Sequence, residues 1–127
     1  MGRSAERVVF VVHGVVTLAA AVVLVVLPAA VPATVGISVG PDEHLLSYLL
    51  AAAELAIGLL SLAAARLHDA SAVRLIALCF AAFHGATAVL EVVHTLVERV
   101  SAVLIANIVV RVVAAVAFLL VARGRRA

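Results

Sequence analysis

Residues 72–97 read AVRLIALCFAAFHGATAVLEVVHTLV, an apolar run interrupted by His84, Thr87, Glu91 and His94. The run is long enough to cross the ~30 Å hydrocarbon core of a bilayer as a helix. Spacings of three, four and three residues put the four polar side chains on one helical face. Carboxylates and imidazoles are costly in hydrocarbon, so such a face is expected to point into protein and to mark a functional site.

Outward from this stretch, the chain has the same character. Of its 127 residues 67% are hydrophobic and 13% charged, and Trp is absent. Soluble domains are nearer half apolar and a quarter charged, so water is not the solvent this composition suits. The formal net charge is +2, and with lysine absent the positive charge comes entirely from arginine. The arginines sit mainly at segment ends, which fits membrane topology; nucleic-acid binding would need a basic face or stripe, and none is present. A single cysteine, Cys79, excludes an intramolecular disulfide, and its place among apolar neighbours predicts a buried packing residue. The first apolar run lacks a convincing cleavage site and is expected to be retained as a span.

Four spans follow from runs near the ~20 residues a helix needs: 8–27, 44–67, 72–97 and 102–121. They form one expected domain over residues 1–127. The first ends at Pro28, and the connector containing Pro32, Gly36, Gly40 and Pro41 predicts no regular element. Asp42 is the expected N-cap of the second span and Ser101 of the fourth. The short link at residues 66–71 makes spans two and three antiparallel neighbours, and Glu98, Arg99 and Ser101 mark a second tight turn. Arg3, Arg7, Arg66, Arg74, Arg123, Arg125 and Arg126 then fall on one side, with Arg99 alone on the other. Both termini are therefore expected in the cytoplasm. The fold class is all-α, an integral membrane four-helix bundle in the cell inner membrane.

Depth concentrates the polar residues. At ~1.5 Å per residue, His84 and Arg111 come near the midplane, with Glu54, Glu91 and Asn107 close by and His13 nearer the cytoplasm. In the second span Ser47, Ala51, Glu54, Gly58 and Ser61 form a stripe of small and polar residues, and in the fourth Leu104, Asn107, Arg111 and Ala114 do the same. His13 and Thr17 share a face of the first. Such stripes let helices approach closely, and Gly14, Gly58 and Gly85 are expected as packing contacts. Arg111 is the sharpest feature, because a guanidinium in a membrane needs a carboxylate or a bound anion, and Glu54 and Glu91 are both candidates. His84, Glu91 and Glu54 are the candidate acid–base groups; Arg111, Asn107, His13, Thr87 and His94 are candidate ligand contacts. Asn107 has two readings, orienting Arg111 or bonding to a neighbouring helix. His94 has two as well, the site or the membrane interface.

No metal site is expected, since Glu91 and His94 with His84 fall short of a closed ligand set. No cofactor is expected either. A bis-histidine haem on His13 and His84 is disfavoured because their depths differ by about four residues, or ~6 Å.

A first span ending at Pro28, the connector VPATVGISVG, the segment AAAELAIGLLSL with Glu54 and Gly58, and polar residues in spans three and four together resemble the DoxX-like group of small four-span bacterial membrane proteins. The resemblance implies the four-span fold over nearly the whole chain and assigns no catalytic residue. Three functions compete. An acid–base enzyme would open, cyclise or isomerise a lipophilic small molecule in a water-poor cavity. A proton-coupled transporter would use membrane glutamate, although Arg111 would repel cationic cargo. A non-catalytic subunit would use its polar residues for helix pairing. Membrane lipid and a lipophilic small molecule are the expected partners; nucleic acid is not, and a homo-oligomer is left open.

Overall fold

A computed structural model describes residues 2–97 and 100–125. Glu98, Arg99 and Arg126 of the topology argument lie outside the described residues. The described chain is all-α: α1 (Arg3–Val26), α2 (Ala30–Thr34), a 3-10 turn (Pro41–Glu43), α3 (His44–Ala64), α4 (Ala70–Val97) and α5 (Ala102–Gly124). Four of these helices are long and apolar enough to cross a membrane. Their outer faces are valine and leucine left open, such as Val16 at 62% and Leu96 at 81% exposed. Exposed apolar surface on this scale would be a liability in water, and it makes the chain a multi-pass membrane protein.

The chain divides into two compact units, Phe10–Ala65 and Met1–Val9 with Arg66–Ala127. In the first, α1 and α3 run antiparallel and touch closely at two glycines. A Cβ on Gly14 would lie 2.8 Å from Leu62, and one on Gly58 would lie 2.7 Å from Leu18. Only hydrogen at both positions allows this approach. Ser47 Oγ donates to the Pro28 carbonyl at 2.7 Å, tying the end of α1 to the start of α3. The expected stripe on α3 is present: Ser47, Ala51, Gly58 and Ser61 are buried and Glu54 is half-buried.

Within the second unit α4 and α5 are antiparallel neighbours. Phe80 meets Phe118 edge to face at 5.1 Å, and Val73, Ala77, Ala81 and Ala88 continue the inward face of α4. Ser101 caps α5 as expected, its Oγ accepting from Leu104 N at 3.0 Å. Asp69 does the same for α4, accepting from Ala72 N at 2.8 Å. At the far end, Arg125 Nε and Nη2 each donate to the Glu6 carboxylate at 2.7 Å, joining the first turn of α1 to the end of α5.

Several expectations need correction. The helix of the first span, α1, starts at Arg3 and not at residue 8, and that of the second, α3, ends at Ala64, before Arg66 and Leu67. The connector is not wholly irregular. Pro32 stands third in α2, where its missing N–H would have had no helical acceptor anyway. Asp42 is not a cap: Pro41 draws it into the 3-10 turn, and Glu43 Oε2 instead accepts from Gly40 N at 2.8 Å. Cys79 is exposed, because the 3.6-residue period buries Phe80 and Ala77 and turns position 79 outward. A Cβ on Gly85 would meet nothing within 4 Å, so Gly85 is no packing contact.

Candidate functional site

On α4, His84 and Glu91 are seven residues apart, two turns on one face. On α5, Asn107 and Arg111 are one turn apart on the face turned to α4. The antiparallel packing brings the four together. Asn107 Nδ2 donates to Glu91 Oε1 at 2.6 Å, and Arg111 Nε stands 3.8 Å from the same oxygen. Arg111 Nη1 lies 3.4 Å from His84 Nδ1. A guanidinium can only donate, so Nδ1 is the acceptor and the neutral imidazole carries its proton on Nε2. One arginine thus reaches two of the three expected acid–base groups, His84 and Glu91, and Glu91 is its ion-pair partner.

Aromatic rings wall this group. His84, 6% exposed, stacks on Phe118 with planes 3° apart and meets Phe83 edge to face at 5.2 Å. The Arg111 guanidinium carbon lies 5.6 Å from the Phe83 ring centre, a cation–π contact. These contacts hold the imidazole and the guanidinium in place. Two polar atoms are still unmatched: Glu91 Oε2 and Arg111 Nε are buried without a hydrogen-bond partner. Leaving such atoms unmet costs roughly 1–3 kcal/mol each, more when charged. One is an acceptor and the other a donor, and both belong to one ion pair.

The remaining expected residues lie on α1, α3 and α4. Thr87 Oγ1 donates back to the Phe83 carbonyl at 2.8 Å, a bond within its own helix. His94 is half-buried in the last turn of α4. Glu54 is half-buried on α3, in the other unit. His13 belongs to that unit too, with Nδ1 2.9 Å from Ser61 Oγ. The Ser61 hydroxyl already donates to the Phe10 carbonyl at 2.8 Å, so His13 Nδ1 is the donor to it. Among the described residues no group of three His, Cys, Asp or Glu is placed to hold a metal ion.

Sequence reasoning missed the rings of Phe83 and Phe118, the His13–Ser61 bond and the Glu6–Arg125 pair. The only advance signal for the rings was their spacing: Phe83 adjoins His84, and Phe118 lies two turns from Arg111. No family model, curated protein or solved structure matches the chain.

Proposed function

We propose that this is a DoxX-like protein of the cell inner membrane, with both termini cytoplasmic, that performs cofactor-independent acid–base chemistry on a lipophilic small molecule. The observation that carries the reading is the unmatched pair in the α4–α5 site, Glu91 Oε2 and Arg111 Nε. An acceptor and a donor side by side suit a substrate carbonyl flanked by an acidic C–H. Glu91 takes the proton from carbon, the C–H electron pair becomes the enolate, and Arg111 Nε–H stabilises the oxygen where charge develops. Return of that proton to a different carbon of the conjugated system completes an isomerisation, with no net redox change. Asn107 fixes the carboxylate through Oε1, and His84 fixes the guanidinium through Nδ1, so both act as positioning residues.

The test is deuterium incorporation from solvent into the α-carbon of a long-chain alkyl ketone, with the protein in detergent or nanodiscs. Wild type should exchange it, and Glu91→Gln should slow exchange by about 10²–10⁴-fold, the usual contribution of a general base. Equal exchange by both proteins would remove Glu91 from the chemistry.

A second reading draws on the same hydrogen bonds. Glu91–Asn107 and Arg111–His84 both join α4 to α5, as helix pairing in a non-catalytic subunit would require. Under it, replacing Glu91 and Arg111 together by apolar residues would leave cellular function intact, because a buried ion pair stabilises little over a hydrophobic substitute. Under the enzymatic reading that double replacement abolishes function.

A further inference from the structure

The arginines of the α4–α5 unit collect at one end of it. The partners Phe80 with Phe118, His84 with Arg111 and Glu91 with Asn107 define the antiparallel register. Continued toward the start of α4, that register sets Arg74 level with Arg123. Arg66 lies just before α4, and the Glu6–Arg125 pair brings Arg3 and Arg7 to the same end. All five of these arginines are exposed. None makes an ion pair among the described residues.

Little negative charge offsets them. The two carboxylates at that end are already engaged: Glu6 by Arg125, and Asp69 by the Ser71 hydroxyl and the Ala72 N–H. Counting Arg125, six arginines against two acids leave a net +4 on the described part of this end. A concentration of charge where membrane-spanning helices emerge meets the phosphate layer of a leaflet. Lysine would supply point charges, but this chain has none. The planar fork of arginine takes two phosphate oxygens at once, which favours phosphodiester over diffuse counter-charge.

We propose that Arg3, Arg7, Arg66, Arg74 and Arg123 form a collar that binds anionic phospholipid headgroups, so that the protein carries a selected ring of acidic lipid at one face. This surface is separate from the α4–α5 site and would stand if the enzymatic reading fell.

The experiment reconstitutes the full chain in nanodiscs of equal phosphatidylglycerol and phosphatidylcholine, then measures lipid retained by mild extraction and native mass spectrometry. Wild type should retain phosphatidylglycerol several-fold above its share, each arginine adding about fivefold to headgroup affinity. Enrichment should fall as sodium chloride is raised, because exposed charges are screened. Arg3→Gln, Arg7→Gln, Arg74→Gln and Arg123→Gln combined should return the retained lipid to the bulk ratio. All four side chains are exposed, so helicity should be unchanged. If the fourfold variant does not fold, the double variants Arg3→Gln with Arg7→Gln and Arg74→Gln with Arg123→Gln, and the wild-type salt series, give the same reading. Lipid retained at the bulk ratio by wild type, enrichment unchanged in the variants, or enrichment indifferent to salt would each overturn the collar.

Discussion

Ser61 is fully buried and serves two helices at once, donating to the Phe10 carbonyl and accepting from His13 Nδ1. Among the described residues no other hydroxyl-bearing side chain is buried as completely. Ser61→Ala should therefore lower stability by about 1–3 kcal/mol, the usual cost of stripping a buried partner, read by denaturation in detergent. Asp69 has a pH-dependent role. The Ser71 hydroxyl, followed by the Ala72 N–H, holds its carboxyl below the ordinary value of 3.8. A group whose folded pKa is depressed stabilises the folded form above the unfolded value and loses that contribution as pH falls through the folded one. Amide exchange in the first turn of α4 should accordingly speed up below about pH 4 in wild type. In Asp69→Asn the acid-dependent part should vanish, and an identical acid response in both proteins would show that the cap does not titrate.

At the scale of the helices, the α1–α3 crossing depends on two hydrogens. Gly58→Ala would drive a methyl into Leu18 Cγ at 2.7 Å, with the Gly14 carbonyl also 3.2 Å away. Overpacking of this kind costs about 1–3 kcal/mol. Adding Leu18→Ala should recover part of the loss, and a double variant no better than Gly58→Ala would mean the backbone contact, not the leucine, sets the spacing. The pattern also explains what could be read before the coordinates. Spans, the α3 stripe and the Ser101 cap were legible because length, polar spacing and capping chemistry are local. Cys79 and Gly85 were misplaced for a reason specific to membranes: the outside of each helix is apolar too, so an apolar residue carries no mark of inside or outside. Polar residues do carry that mark, and Glu91, Asn107, Arg111 and His84 do meet between α4 and α5. Their pairing was not legible, because depth alone left Glu54 and Glu91 equivalent, and register between α4 and α5 is set by rings 38 residues apart in Phe80 and Phe118.

For the whole molecule, the Glu6–Arg125 pair has a consequence for topology. It joins the first turn of α1 to the end of α5, so Ser4 and Gly124 lie at one end of their unit, while Ser101 at the start of α5 lies at the opposite end. In a Cys79→Ala background, needed because Cys79 is exposed, cysteines at Ser4 and Gly124 should react with an impermeant maleimide from the same side and one at Ser101 from the other. Arg125 is held further toward its charged form by the Glu6 hydrogen bonds. The central claim is that an ion pair with an unmatched donor and acceptor, enclosed by α4 and α5, receives the oxygen-bearing end of a lipophilic molecule. Mass spectrometry of organic extracts from purified wild type and Glu91→Gln tests it most directly, since glutamine keeps the shape and the oxygen that Asn107 bonds. The account predicts a lipophile carrying a carbonyl or hydroxyl in wild type that is depleted in the variant. Identical extracts from two folded proteins would contradict it.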